Sequence, residues 1–323
     1  MHTQKRNTQL FFVLLFALAA LFLVGCGATE QETTNANETQ TLKADNMSGD
    51  VGAGANDANS IETMDDNVDM NHMGCQEGEI SANGECIPAA DNNRALFDQN
   101  LTGVVEAYVV DSPIGGYFAK PATDGNYPGV ILIHEWWGLN DNIKDMADIL
   151  AAEGYLVYAV DLYGGEVASE SSDAARLSGS VRSNPGGAIE VMSAAKTYLE
   201  EEGATKLGSM GWCFGGQQSL LISTSDPLDA TVIYYGQLTD NTTILSNLGG
   251  PVLGVFGEDD GFISVESVQN FESALESIGV ESDIYVYKGV GHAFANPSGS
   301  NYAPEQTLDA WSRTLEFLNK NLK

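Results

Sequence analysis

The chain has 323 residues, 43% of them hydrophobic, which is enough for one large domain with extensions and for a substantial core. Residues 1–93 hold 14 of the 45 acidic residues but only 3 of the 14 lysines and arginines, so residues 94–323 carry 31 acidic against 11 basic side chains. A domain with a net charge near −20 repels phosphate backbones, which argues against nucleic acid as a partner.

The amino-terminal residues are typical of a targeting segment. Lys5 and Arg6 precede an apolar run at residues 10–23, which has the length of a signal-peptide core and is short for a membrane span of roughly 20 residues. The run ends at Leu-Val-Gly-Cys26, which resembles a bacterial lipobox whose cysteine is lipidated. We therefore predict a lipoprotein signal peptide at residues 1–25, with an uncleaved signal anchor as the alternative. Both place the remaining chain outside the cytoplasm, held at the extracytoplasmic face of a membrane.

The segment 26–93 is predicted to be a disordered acidic tether. Residues 27–72 are rich in Asn, Thr, Asp, Glu, Ala and Gly and show no apolar period, so they cannot bury enough surface to offset chain entropy. Cys75 and Cys86 lie close together in sequence and face an oxidising compartment, which predicts a small disulfide loop. Soft ligands in the tether match no metal-site spacing, and neither a metal nor a cofactor is predicted.

From residue 94 to residue 323 the pattern alternates between strands and helices. The predicted strands are residues 104–110, 117–121, 128–133, 155–160, 231–235, 252–256 and 283–287, together with the strand that leads to Cys213. The predicted helices are a segment capped at residues 140–142 and ending at 154, a segment starting at 217, and residues 171–181, 188–201, 265–278 and 304–322. This alternation predicts an α/β fold with a mainly parallel sheet, helices on both faces, and an active site at the carboxyl ends of the strands.

Residues 208–216 predict a strand, a sharp turn and a helix, with Cys213 at the turn. The pattern Gly-x-Cys-x-Gly is that of a nucleophile elbow, in which glycines at 211 and 215 are needed because a Cβ at either position would collide with the tight turn. The alternative is a buried, inert cysteine at a glycine-rich strand end. Of the four cysteines Cys213 is left without a predicted partner, and catalysis would account for an unpaired thiol in an exported protein.

A cysteine nucleophile needs a base, which is usually histidine. His2 leaves with the signal peptide and His72 lies in the tether, so His134 and His292 remain. His292 follows the last predicted strand on a glycine-rich loop, where a catalytic base is expected. We therefore assign His292 as the base.

The acid of the predicted triad lies between Cys213 and His292, in the run Glu258-Asp259-Asp260 at a strand's carboxyl end. The chain order nucleophile, acid, histidine is that of the α/β-hydrolase triad. Asp260 is favoured because of its place between Gly257 and the following Gly-Phe-Ile. The other two acids are expected to belong to a solvated loop.

Residues 100–323 resemble the dienelactone hydrolase family, the cysteine-nucleophile members of the α/β-hydrolase fold. The matching segments are IHEWWGLN (133–140), GY (154–155), DLYG (161–164), GWCFGG (211–216), GEDD (257–260) and GHAF (291–294). The resemblance implies that Cys213 attacks an ester or lactone carbonyl to give a thioester acyl-enzyme, and that His292 protonates the leaving oxygen and then activates water.

The resemblance also implies roles that spacing alone does not give. Glu135 would lie beside the thiol and help to control its ionisation, and the backbone N–H groups of Trp136 and Phe214 would form the oxyanion hole. If the family resemblance is set aside, the alternative interpretation is that Glu135 is a carboxylate at a strand end that accepts a hydrogen bond from a tryptophan indole. The departure from the family is at Asn296, which stands where an arginine that binds the substrate carboxylate is expected.

The sequence thus predicts an extracytoplasmic, lipid-anchored hydrolase of small esters or lactones. Arg176 and Arg182 lie in the region from which another anion-binding arginine could come, although no motif fixes either. The alternative function is that of a noncatalytic surface lipoprotein that uses the fold as a binding module. The oligomeric state has no signature in the sequence.

Overall fold

The computed structural model describes residues 79–82, 85–88, 101, 103–110 and 115–323. The predicted signal peptide, Cys26 and Cys75 lie outside these residues, so the lipid anchor and the Cys75–Cys86 disulfide stay predictions. Within the described part of the chain, none of the helices combines the length and the apolarity that crossing a membrane requires.

The strands and helices of the described residues closely follow the predicted ones. The strands are β1 (Glu79–Ala82), β2 (Glu85–Pro88), β3 (Val105–Val109), β4 (Gly116–Pro121), β5 (Gly129–Ile133), β6 (Leu156–Val160), β7 (Leu207–Trp212), β8 (Ala230–Tyr234), β9 (Val252–Gly257) and β10 (Ser282–Tyr287). The helices are α1 (Asp141–Ala152), α2 (Ser171–Ser183), α3 (Pro185–Glu201), α4 (Phe214–Ser225), α5 (Thr242–Leu245), α6 (Val265–Ser277) and α7 (Pro304–Leu322).

Eight of the strands form one sheet in the order β10-β9-β8-β7-β5-β6-β4-β3. All neighbouring pairs from β10 to β6 are parallel, whereas β4 pairs antiparallel with β6 and β3 pairs antiparallel with β4. The predicted α/β fold with a mainly parallel sheet is therefore confirmed. Because parallel strands end at the same edge, the loops after β5, β7, β9 and β10 share one side of the sheet.

The sheet is buried on both faces, as the continuous apolar run of β5 predicts. Val130 and Leu132 pack with residues of α1 and α7, while Ile131 and Ile133 pack with residues of α3 and α4. All four side chains have no solvent exposure. This alternation is the period of two of a strand, and each such side chain stabilises the fold by about 1.5–3 kcal/mol through burial.

Two short features were not predicted from the sequence. β1 and β2 form an antiparallel hairpin of four residues each, and α5 is a single turn capped by the Asn241 side chain, which accepts the N–H of Thr243 at 3.0 Å. Segments this short carry too few residues for a hydrophobic period to emerge. The predicted cap of α1 is observed, since Asn140 Oδ1 accepts the N–H of Ile143 at 3.3 Å.

Candidate active site

Cys213 occupies the single residue between β7 and α4. Its backbone has φ 54° and ψ −115°, a strained conformation for a residue other than glycine, which typically costs about 1–3 kcal/mol. A Cβ on Gly211 would collide with the backbone of Gly215, and a Cβ on Gly215 would collide with the carbonyl groups of Ile133 and His134. The predicted need for glycine at both positions is confirmed, and the strained turn holds the thiol at the carboxyl edge of the sheet.

The side chains of Cys213, His292 and Asp260 form one continuous hydrogen-bonded chain. His292 Nε2 lies 3.1 Å from the Cys213 sulfur, and His292 Nδ1 lies 2.8 Å from Asp260 Oδ2. The other carboxylate oxygen, Oδ1, accepts the backbone N–H groups of Phe262 at 2.7 Å and Ile263 at 3.0 Å. Asp260 is therefore fixed by its own loop, and in turn it fixes the orientation of the imidazole.

The structure brings only Asp260, among the three consecutive acids, to the imidazole. Its side chain has no solvent exposure, whereas Glu258 and Asp259 are exposed. Burial raises the pKa of Asp260, but the hydrogen bonds from His292 and from two backbone N–H groups outweigh burial and lower it. Burial lowers the pKa of His292, while its bonds to Asp260 and Cys213 outweigh burial and raise it above the ordinary value. The pair is thus arranged to hold an imidazolium beside the sulfur.

Glu135 is buried directly after β5, with only 7% of its surface exposed. Asn296 Nδ2 donates to its Oε2 at 2.5 Å, so its partner is an amide and not the tryptophan indole of the alternative interpretation. The amide orientation follows from the network, because Asn296 Oδ1 accepts the N–H of Ser298 at 2.9 Å. Burial raises the pKa of Glu135 to about 7, although the charge of His292 and the bond from Asn296 oppose the rise.

His134, the other candidate base, lies on the same strand end but is completely buried. Its Nδ1 lies 2.6 Å from the Glu135 carbonyl oxygen, and its Nε2 accepts the N–H of Leu162 at 3.2 Å. Its ring packs against Tyr163 and Phe214. Burial lowers the pKa of His134 to about 4, so the ring is neutral and links the β5 and β6 loops.

The two predicted oxyanion donors lie on either side of the elbow. Phe214 is the first residue of α4, where a backbone N–H has no acceptor within the helix, and Trp136 follows Glu135 in the loop after β5. Phe214, Trp136 and Cys213 pack in the same apolar cluster. The N–H of Cys213 itself is already donated to the Tyr234 carbonyl at 2.9 Å. That the N–H groups of Trp136 and Phe214 bind an oxyanion stays a prediction.

Two aromatic residues beside His292 were missed by the sequence analysis. The ring of Tyr235, a buried residue with φ 36°, lies 5.2 Å from the imidazole, and the ring of Phe262 lies 5.1 Å from it although 82% of Phe262 is exposed. A signal was available for both, since Tyr235 directly follows β8, the strand next to β7, and Phe262 is two residues after Asp260.

The two arginines that were considered for anion binding have different surroundings. Arg176 forms ion pairs with Glu166 at 3.1 Å and Asp173 at 3.7 Å. Arg182 lies over the ring of Phe214 and donates to Gln217 Oε1 at 3.0 Å, and no carboxylate of a described residue is within ion-pair distance. Among the described residues, no group of three or more His, Cys, Asp or Glu side chains is placed to hold a metal ion.

A mainly parallel sheet that carries a nucleophilic residue on a strand-turn-helix elbow, followed in the chain by an acid and a histidine, defines the α/β-hydrolase fold. The sequence matches the dienelactone hydrolase family over residues 114–322. The chain belongs to that family and is a carboxylic ester hydrolase.

Individual relatives agree with this assignment. The chain is 33% identical over 219 residues to "Protein usf" of Aquifex pyrophilus, which covers 65% of this chain and 94% of that protein. It is 32% identical over 253 residues to the "Putative carboxymethylenebutenolidase" of Salmonella typhimurium strain LT2, covering 71% and 93%. A crystal structure of a "Putative Dienelactone Hydrolase" from Klebsiella pneumoniae superimposes with a TM-score of 0.61 and 26% identity, covering 67% of this chain and 99% of that one.

Proposed function

We propose that the protein hydrolyses small esters or lactones with Cys213 as nucleophile, His292 as acid and base, and Asp260 as the residue that orients the imidazole. The observation that supports this mechanism best is the unbroken chain from the Cys213 sulfur through the His292 ring to Asp260, at 3.1 and 2.8 Å. Nucleophile, base and orienting acid at such distances are the geometric signature of covalent acyl transfer.

In the first half of the reaction Cys213 gives its proton to His292 Nε2 and its sulfur attacks the carbonyl carbon. As the C–S bond forms, the π electron pair of the carbonyl moves onto the oxygen. The N–H groups of Trp136 and Phe214 stabilise that oxyanion. Its collapse breaks the bond to the leaving oxygen, which takes a proton from His292 Nε2 and leaves a thioester. In the second half His292 removes a proton from water, and the oxygen attacks the thioester carbon. The C–S bond then breaks, the carboxylic acid leaves, and His292 returns the proton to the Cys213 sulfur.

Glu135 supplies a second proton acceptor in this site. Its pKa of about 7 means that both of its protonation states are populated at neutral pH, and His292 is close enough to influence it by charge. We propose that Glu135 exchanges a proton with Cys213 as substrate enters, which sets the fraction of enzyme that holds a thiolate.

The substrate class follows from the residues around Glu135. Where the family pattern has an arginine for a substrate carboxylate, Asn296 is neutral and its amide is already donated to Glu135. We therefore propose uncharged esters or lactones as substrates in preference to anionic lactones.

The location of the enzyme is proposed from the sequence alone. Lys5, Arg6, the apolar run and Cys26 support export and lipid anchoring outside the cytoplasm. Cys26→Ser should therefore release the protein from membranes or block its processing. Normal processing with unchanged membrane attachment would contradict the lipid anchor. Under non-reducing mass spectrometry, a peptide that joins Cys75 to Cys86 is expected, with Cys213 free to react with alkylating agents.

The experiment that tests the catalytic proposal compares Cys213→Ala, Asp260→Asn and Asp259→Asn in the full chain on a panel of esters and lactones. Cys213→Ala should abolish hydrolysis, Asp260→Asn should reduce it by about 10⁴-fold by analogy with other triads, and the exposed Asp259→Asn should change it little. Full activity in Cys213→Ala would place the nucleophile elsewhere, whereas no ester hydrolysis by the unmodified protein would favour the noncatalytic binding module.

A further inference from the structure

A groove of about 330 Å³ runs beside α4, in the size range of small-molecule binding sites. Its α4 residues are Gln217, Leu220, Leu221 and Thr224, together with the buried Gln218. The first four lie four, seven, eight and eleven positions after Cys213, which is the spacing of one helix face. The groove therefore begins about one helical turn after Cys213 and follows α4 away from it; we call it the α4 groove.

The other side of the α4 groove comes from α2, the start of α3, the loop after β8, and α5. Its apolar lining consists of Val181, Pro185, Leu220, Leu221, Leu238 and Ile244. Val181 also packs against the apolar cluster around Phe214, and Cys213 packs against the same cluster, so one wall of the α4 groove lies close to the surroundings of the thiol. Ile244 is 42% exposed, which leaves apolar surface available to a ligand.

Several polar side chains of the α4 groove are already bonded to protein atoms. Arg182 Nε donates to Gln217 Oε1 at 3.0 Å, and Gln217 Nε2 donates to Gln237 Oε1 at 3.2 Å. Thr224 Oγ1 donates to carbonyl oxygens of its own helix. Apart from the buried Gln218, whose Oε1 has no hydrogen-bond partner among the described residues, the α4 side chains beyond Gln217 offer mainly methyl and methylene surface, which suits an apolar ligand.

We propose that the α4 groove binds the acyl chain of the substrate ester, extended along α4 away from Cys213. This inference rests on the proposed function, because the acyl group is the part of the substrate that becomes attached to the Cys213 sulfur. The leaving group must lie at His292 to receive its proton, and none of the residues that line the groove comes from the loop that carries His292. The acyl part and the leaving part are thereby directed to opposite sides of the thiol.

The length of the α4 groove sets the chain length it takes. The helix rises about 16 Å between Cys213 and Thr224. An extended chain advances about 1.2 Å per bond, so an eight-carbon acyl chain needs about 9 Å and fits. The enzyme should therefore accept medium-chain acyl esters in addition to acetate.

The test measures kcat/KM of the full chain on p-nitrophenyl acetate and p-nitrophenyl octanoate. Leu221→Trp fills the α4 groove from α4, and Ile244→Trp fills it from α5 if the first variant does not fold. Either should lower the octanoate-to-acetate ratio by about tenfold or more, the factor that corresponds to losing the burial of two methylene groups. Val167→Trp is the control, since Val167 is 53% exposed on the loop after β6 and outside the groove; it should leave the ratio within about twofold.

A second readout needs no turnover. Binding of p-nitrophenyl octanoate to Cys213→Ala, followed by tryptophan fluorescence, should weaken by about tenfold or more when Leu221→Trp is added. Unchanged binding and an unchanged ratio in the α4-groove variants, or an equal shift in Val167→Trp, would overturn the inference. If the unmodified protein hydrolyses neither ester, the proposed function fails, and the binding comparison still decides whether the groove holds the chain.

Discussion

His134 and His292 lie at the same edge of the sheet, and their surroundings give them opposite properties. His134 follows β5, is completely buried, and bonds through both ring nitrogens to backbone groups. His292 follows β10, keeps 17% of its side chain exposed, and bonds through both ring nitrogens to ionisable side chains. Burial lowers the pKa of His134 to about 4, whereas the partners of His292 raise its pKa despite burial.

The comparison shows that the partners of a buried histidine decide whether its ring is neutral or protonated. A backbone carbonyl fixes a neutral ring in place, while a carboxylate such as Asp260 stabilises the positive charge that forms when the ring takes a proton. Glu135 contacts both histidines in different ways. Its backbone carbonyl accepts a hydrogen bond from His134, and the charge of His292 lowers the pKa of its side chain.

The largest expected effect is on catalysis. His292→Ala removes the only described contact that can accept the Cys213 proton at hydrogen-bond distance, so kcat/KM for an ester should fall by about 10⁴-fold per folded molecule. His134→Phe is the matched control and should keep most of its activity per folded molecule. A comparable loss of activity in His134→Phe would show that the two histidines are not functionally distinct.

The next effect concerns Glu135 and the pH dependence of stability. Its pKa is raised from 4.5 to about 7 by burial, so between these values the unfolded chain releases a proton that the folded chain retains. The folded state therefore loses up to about 3 kcal/mol as pH rises through this window. Glu135→Gln should remove that loss. The free energy of unfolding of the variant, relative to that of the unmodified protein, should therefore be higher at pH 8 than at pH 4.5.

Urea unfolding of both proteins at the two pH values measures this difference. Glu258→Gln serves as the control for removing a carboxylate, since Glu258 is exposed just after β9. A stability difference that does not vary with pH would mean that Glu135 is ionised throughout.

His134 should show the opposite sign. Its pKa is lowered from 6.5 to about 4, so between these pH values His134 is protonated in the unfolded chain and neutral in the folded chain. The folded state loses up to about 3 kcal/mol as pH falls to 4, a loss that opposes the Glu135 effect over nearly the same range. His134→Phe should abolish this loss.

At neutral pH His134→Phe should have a separate cost of about 2 kcal/mol, because the Leu162 N–H and the Glu135 carbonyl lose their partner. The same urea titrations at pH 4.5, 6 and 8 report both effects. If stability in this variant still declines toward pH 4 as in the unmodified protein, the acid-sensitive group lies elsewhere.

The sequence was sufficient where a local rule applies. The elbow glycines, the buried β5 run and the choice of Asp260 all depend on residues that are near one another in the chain, and the structure places them as predicted. The bond from Asn296 to Glu135 joins residues 161 positions apart, and nothing local marks it. The position of Tyr235 directly after a strand is a local signal, but its contact with His292 depends on how β8 and β10 lie in the sheet.

The smallest expected effect is on substrate charge, and it depends on that long-range bond. Asn296 stands where the family pattern has an arginine, and a charge-assisted contact to a carboxylate is typically worth about 1.5–3 kcal/mol. Without that contact, kcat/KM for an anionic lactone should be lower by about one to two orders of magnitude relative to kcat/KM for a neutral aryl ester. Asn296→Arg should narrow that gap, and Asn296→Gln, which is longer but neutral, should not.

The measurement belongs at high ionic strength, because the net charge near −20 of residues 94–323 also slows the approach of anions and salt screens that contribution. Under those conditions the ratio of the two kcat/KM values reports the site itself. A clear preference of the unmodified protein for the carboxylate would place the anion site at another cation. Arg182 is then the residue to replace, since Arg176 is already engaged by two carboxylates while Arg182 bonds to neutral partners beside Phe214.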